Sequence, residues 1–334
     1  MSRRLRILLL AGALLLPACA DDGSSAVQAP APPTEAAAAP VPSTGSSGST
    51  AAPPSTVAAP GYPYPIVSET VTFVDEDRAT PATAEQPARP SRTLEVWVDR
   101  PAVDAPRPLV VFAHGLSGHP RSHELLRRTM AEAGFVVVAP AFPLTNHDVP
   151  GAWGHAADVD GQVGDISFLI DAVVADPDLG PLVDAEHIGM IGHSLGGLTT
   201  AGAALAAGGD ERIDAAVVIS AGFGQSRAGL PVMVVHGDVD QLVPYQSGTM
   251  SYGLLTGRRM FVTLVGGDHI AGILDDDTDL GLALRGLVDA FFARELGVDE
   301  GQVAAVAGLP LDQVDVQAGT ADGVLTDWRD YFAG

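Results

Sequence analysis

The sequence predicts an α/β fold built on a mostly parallel, doubly wound sheet, with antiparallel strands at its N-terminal end. Three observations carry that expectation. Short unbroken apolar runs recur at residues 109–113, 135–139, 188–192, 216–219, 232–235 and 261–265, as strands buried on both faces require. Helical stretches at 122–133, 160–175, 195–207, 245–255 and 279–296 fall between them. Strand and helix in alternation argue for right-handed crossovers. Two earlier segments, 68–74 and 93–98, instead alternate apolar and polar residues, the pattern of half-exposed antiparallel strands. The run at 261–265 reads as the last of the series, and no internal repeat is visible.

Taken in order, the chain opens on an expected export signal, residues 1–19. Arg3, Arg4 and Arg6 precede an apolar stretch, 7–16, that is shorter than a membrane-spanning helix. Leu16-Pro17-Ala18-Cys19 resembles a bacterial lipoprotein cleavage box, which implies Cys19 as the lipid-modified first residue of an exported cell-envelope protein. The alternative is an ordinary cleavable signal and a secreted product. Cys19 is the single cysteine among 334 residues, so no intramolecular disulfide can form. Residues 20–61 consist almost wholly of Ala, Pro, Ser, Thr and Gly and offer too little apolar surface to offset the entropy of ordering. They read as a flexible tether.

Net charge is −23, and every basic residue is arginine. Such a chain is repelled by nucleic acid and by anionic lipid. Membrane contact is therefore expected only through an anchor at Cys19.

Folded structure is expected from about residue 62. Its central stretch is Gly192-His193-Ser194-Leu195-Gly196, which follows a strand and opens a helix. This is the G-x-S-x-G pattern of a nucleophile elbow, a sharp turn that lifts a serine oxygen above the sheet. Glycines belong there because strand and helix cross too closely for Cβ atoms. Ser194 is the candidate nucleophile, and the N–H of Leu195 is one candidate oxyanion donor.

A serine hydroxyl needs a base, and the base needs an orienting carboxylate. Elbow-bearing enzymes place serine, acid and histidine in that chain order. The strand at 232–235 runs into His236-Gly237-Asp238-Val239-Asp240-Gln241-Leu242-Val243-Pro244, and the strand at 261–265 runs into Gly266-Gly267-Asp268-His269. Of nine histidines only His269 follows the acid loop, so chain order selects it as the base. Asp238 and Asp240 both remain open as the acid. Asp268 is expected to be structural, and Asp165 and Asp171 carry no assigned chemistry. His114 and His193 sit in turns and are expected to pack and bond locally. Residues 143–157 follow another strand and are expected to overhang the site. Trp153, Leu116 and His193 are carried as substrate-contact candidates. His147, Asp148, His155 and Asp158 are too irregularly spaced for a metal site, so neither metal nor cofactor is expected.

Together these motifs resemble the α/β-hydrolase superfamily over roughly residues 67–298. Within it the chain looks like the branch of dienelactone-hydrolase-like, platelet-activating-factor acetylhydrolase-like and chlorophyllase-like proteins and bacterial cutinase-type polyesterases. The resemblance implies Asp240 as the acid, from the H-G-x-x-D-x-x-V-P pattern, with Asp238 left to cap the loop. It implies Leu116, after His114-Gly115, as the second oxyanion donor. The polyesterases' C-terminal disulfide is ruled out by the single cysteine. Residues 219 and 232 are too close for a helical cap domain, so an open site is expected. Residues 62–298 are thus read as a catalytic domain. Residues 299–334 form an extension of unassigned role, with a short helix at 327–332. The expected activity is a serine carboxylesterase acting on a small or polymeric ester. A serine peptidase of the same fold is disfavoured because prolyl-oligopeptidase-like enzymes carry a large N-terminal propeller where this chain is expected to have only a tether. A non-catalytic binding protein on a hydrolase scaffold is the remaining alternative.

Overall fold

A computed structural model of the protein describes residues 64–224, 226–273, 277–298 and 300–333. The expected signal, Cys19 and the whole of the expected tether, 20–61, lie outside the described residues. Strands β1 (Ile66–Asp75) and β2 (Arg92–Pro101) pair antiparallel. On β1, Val71 and Phe73 turn inward while Thr70 and Thr72 face solvent, as the alternating sequence dictates. The strands that follow are β3 (Arg107–Ala113), β4 (Val136–Ala141), β5 (Val183–His193), β6 (Ile213–Ile219), β7 (Val232–Gly237), β8 (Arg259–Leu264), β9 (Val314–Thr320) and β10 (Gly323–Val324). All ten join one sheet in the order β1-β2-β4-β3-β5-β6-β7-β8-β9-β10. Neighbours from β4 through β8 are parallel. The pairs at both ends are antiparallel.

Among the described residues six α-helices connect the strands: α1 (Glu124–Ala133), α2 (Val159–Ala175), α3 (Leu195–Thr200), α4 (Tyr245–Leu254), α5 (Asp279–Leu296) and α6 (Glu300–Ala305). They cover both faces. Val110 and Phe112 of β3 point into a core with Leu126 and Met130 of α1 and Leu287, Phe291 and Phe292 of α5. Leu109 and Val111 point the other way, into a core with Ile166, Leu169 and Ile170 of α2. This two-sided burial explains the unbroken apolar runs. Gly189 shows how tight the packing is, because a Cβ there would come 2.7 Å from the Phe292 ring. Helix α5 starts where the Thr278 hydroxyl accepts the Gly281 N–H and ends at left-handed Gly297. A cap of this kind stabilises a helix by about 1 kcal/mol.

The structure departs from the sequence reading at two places. The helix expected over 195–207 is α-helical only to Thr200 and continues as wider π turns over Ala201–Leu205. The Thr199 and Thr200 hydroxyls bond back to the Leu195 and Gly196 carbonyls just before the change, a pattern that loosens a helical ladder. The second concerns the tail, which the sequence left without an assigned role beyond a short helix. β9 pairs antiparallel with β8, burying Ala318 and partly burying Val314 and Val316, with Asp315 and Gln317 outward. A 3₁₀ turn follows at Trp328–Tyr331, where Tyr331 is 2% exposed and stacks on Phe291. The sheet and core thus extend well past residue 298.

A buried ion network fixes the 75–92 segment against α2. Arg92 bonds Asp158 and Asp165, and Arg78 also reaches Asp165. Burial raises the Asp165 carboxyl above its ordinary range against the pull of both arginines. Asp171 pairs with Arg212. Among the described residues the β6–β7 connection, 220–231, contains no helix.

Candidate active site

Ser194 stands between β5 and α3 with φ 55° and ψ −117°, a conformation that costs an ordinary side chain about 1–3 kcal/mol. The flanking positions of the turn admit only glycine. A Cβ on Gly192 would overlap the Gly196 carbonyl, and one on Gly196 would overlap the Ala113 carbonyl. The Ser194 N–H donates to the Ile219 carbonyl at 2.9 Å, holding the turn to β6.

The candidate acid and base come from the next two strand ends. Beyond β7, Asp240 accepts the N–H groups of Leu242 and Val243 on Oδ1 at 2.8 and 2.9 Å. Its Oδ2 lies 2.7 Å from His269 Nδ1. Burial pushes the Asp240 carboxyl up, but the His269 bond and the two backbone N–H groups outweigh it and hold it below the usual range. Beyond β8, His269 Nε2 lies 2.8 Å from Ser194 Oγ. Ser194, the base candidate selected by chain order and the acid candidate implied by the resemblance therefore meet as one chain of hydrogen bonds. With Nδ1 donating to Asp240, Nε2 is left to accept the serine proton. Asp238 accepts the Gly266 N–H at 2.7 Å and so ties the acid loop to the base loop. Asp268 accepts the Ile270 N–H in a local turn.

The loop after β3 closes behind the nucleophile. A Cβ on Gly115 would lie 3.2 Å from both Ser194 Cβ and His193 Nδ1, so this loop and the elbow are in direct contact. His114 holds it from below, donating Nδ1–H to the Gly115 carbonyl at 2.7 Å and accepting the Phe142 N–H on Nε2. Burial depresses His114 to about 3, against that carbonyl bond. Leu116 is half-buried, and among the described residues neither its N–H nor that of Leu195 has a hydrogen-bond partner. Both donors are thus free for an incoming oxygen. The 143–157 loop pairs with this segment, since Ser117 N–H donates to Thr145 and His147 N–H to Gly118.

His193 differs from its expected place among substrate contacts. It is 5% exposed, and its Nε2–H donates to the His269 carbonyl at 2.8 Å. The ring turns inward because β5 is buried on both faces up to its last residue. Trp153 lies on a 3₁₀ turn, Ala152–Gly154, and is 71% exposed. The scattered acids and histidines beside it point to separate partners: Asp148 to Arg121, His155 to Glu85, and Asp158 to Arg92. Among the described residues no three His, Cys, Asp or Glu side chains gather as a metal ion needs.

Two further histidines escaped the sequence reading. His236 Nε2–H donates to the Val243 carbonyl at 3.0 Å and lies 3.4 Å from Asp240 Oδ2, fixing the acid loop. It opens the H-G-x-x-D stretch, which was a readable signal. His123 Nδ1–H donates to the Ile273 carbonyl at 3.0 Å. Those partners are 150 residues apart, and no local pattern marks them.

A solved structure similar to this chain is a ferulic acid esterase from Streptomyces cinnamoneus, with a TM-score of 0.59 at 20% sequence identity. The likeness covers 73% of this chain and 93% of that one. No protein-family model and no curated protein matches the sequence. The strand order, the strained serine turn and this likeness agree on the architecture: the chain has the α/β-hydrolase fold.

Proposed function

We propose that the protein is a serine hydrolase that cleaves carboxylic esters through an acyl-enzyme intermediate. The observation that carries the proposal is the pair of contacts at His269, 2.8 Å to Ser194 Oγ and 2.7 Å to Asp240 Oδ2. Ser194 Oγ attacks the ester carbonyl carbon while its proton passes to His269 Nε2. Asp240, kept ionised, stabilises the imidazolium that forms. The carbonyl oxygen becomes an oxyanion facing the N–H groups of Leu116 and Leu195. The C–O bond to the alcohol then breaks, and His269 returns the proton to that alcohol. Water, activated by His269, attacks the acyl group, releasing the acid and restoring Ser194. An oxyanion donor of this kind contributes about 10²–10³ in kcat.

Ester hydrolysis is supported by the esterase among similar structures, and the absence of any helix among described residues 220–231 supports an open site with broad acyl tolerance. We extend the proposal to location, as an exported protein held to the membrane by lipid on Cys19 or released by secretion. The test compares p-nitrophenyl esters of several acyl lengths with peptide anilides. Turnover of esters alone, lost in Ser194→Ala, supports the proposal; turnover of anilides alone would replace it with a peptidase.

A further inference from the structure

The backbone that carries His269 has little regular structure of its own. Over described residues 265–273 it runs through short turns, Ala271 N–H to Asp268 and Ile273 N–H to Ile270, with left-handed glycines at 266 and 272. Two backbone carbonyls of this segment, those of His269 and Ile273, accept side-chain donors instead. His193 Nε2–H takes the first at 2.8 Å and His123 Nδ1–H the second at 3.0 Å. Both imidazoles are buried, 5% and 2% exposed, and their rings lie 6.2 Å apart. His123 packs against Phe112 of β3, and His193 packs against the His269 ring at 4.9 Å. The base segment is thereby tied at both ends to rigid parts of the fold, the start of α1 and the end of β5.

We propose that His193 and His123 are positioning residues that clamp the segment bearing the base. The proposal rests on the reading of His269 as that base. His193 has the larger part, because it directly precedes Ser194. One peptide unit therefore places the nucleophile, and the ring on that unit places the base, so a single element sets the Ser194–His269 gap. A side chain at position 115 would press on the same ring, which links the oxyanion loop to the clamp. Burial and the nearby His123 hold His193 neutral, depressed to about 3. A neutral donor suits this place, since a cation against the His269 ring would oppose its protonation during catalysis. Misplacing a catalytic group by about 1 Å costs on the order of 10²-fold in rate.

The donor atoms differ, which makes the test specific. A glutamine amide nitrogen can stand where His193 Nε2 stands, and an asparagine nitrogen where His123 Nδ1 stands. The test measures kcat and KM for a p-nitrophenyl ester, and hydrogen exchange over residues 266–273, in the full-length protein. His193→Phe and His123→Phe are expected to lower kcat about 10–100-fold, with KM within about twofold, and to speed exchange in that segment. His193→Gln and His123→Asn should recover both readouts, whereas the crossed pair, His193→Asn and His123→Gln, should not. The crossed pair also serves if a Phe variant fails to fold. Wild-type kcat and exchange in the Phe and crossed variants would overturn the proposal. Equal losses in matched and crossed amides would overturn it too, since ring volume rather than the donor would then matter. Exchange needs no substrate, so failure of the clamp is distinguishable from failure of the esterase reading.

Discussion

Asp240 meets His269 Nδ1 at 2.7 Å through one carboxylate oxygen while the other accepts two backbone N–H groups of its own loop. The carboxylate is thus oriented before it orients the imidazole. Asp238, two residues earlier, instead joins the Gly266 N–H. Asp240→Asn presents an amide to Nδ1 and favours the wrong tautomer, so kcat should fall about 10³–10⁴-fold, as in other triads. Asp238→Asn should lose less than about tenfold. Steady-state kinetics on both variants check the ranking, and its reversal would move the acid to Asp238.

Acid should destabilise the protein through its buried histidines. His114, His193 and His119 are depressed to about 3, 3 and 4, chiefly by burial, against an ordinary value of about 6.5. Their folded values lie below their unfolded ones. Between about pH 4 and 6.5 the unfolded chain therefore binds protons that the folded chain excludes, and stability falls as pH falls. Asp240, also depressed, adds the same sign as pH drops through the carboxylate range. Urea midpoints should decline from pH 7 to 4.5, with uptake of about three histidine protons on unfolding near pH ~5. A midpoint flat across that window would contradict the buried neutral assignment.

The tail should behave as core. Tyr331 is 2% exposed beneath Arg258, whose guanidinium lies 4.6 Å from the ring centre. Tyr331→Ala should cost about 3–5 kcal/mol in urea unfolding, the usual range for a buried aromatic. The kcat of the folded fraction should change little. A cost below about 1 kcal/mol would return the tail to the role of appendage.

Residues whose chemistry leaves one option were legible in the sequence. The elbow glycines are such a case, because any Cβ at 192 or 196 meets backbone. Chain order singled out His269 as the base candidate but left Asp238 and Asp240 both open, because both lie on one loop. The central strands were legible from apolar runs that two-sided burial demands. β9 was harder, because Val314-Asp315-Val316 alternates for only a few residues and nothing local says that β8 needs a partner. His123 was out of reach, since its bond to Ile273 spans 150 residues and exists only once α1 and the base segment meet.

The proposed anchor at Cys19 and the tether expected over 20–61 should be separable from the folded domain. Cys19→Ser should move the protein from the membrane fraction to the soluble one, and a protein beginning at Gly61 should keep both thermal midpoint and kcat/KM. The motivation is the lipoprotein-like box and the composition of residues 20–61. Unchanged fractionation would reject lipidation, and a large drop in midpoint would make the segment part of the fold.

The proposed chemistry stands on Ser194 as a nucleophile activated by His269. Fluorophosphonate labelling followed by peptide mapping tests it without any assumption about the natural ester. The predicted result is a single adduct on Ser194 that is absent in Ser194→Ala and forms about 10²-fold or more slowly in His269→Ala. Labelling of another residue, no labelling of the folded protein, or an unchanged rate in His269→Ala would contradict it.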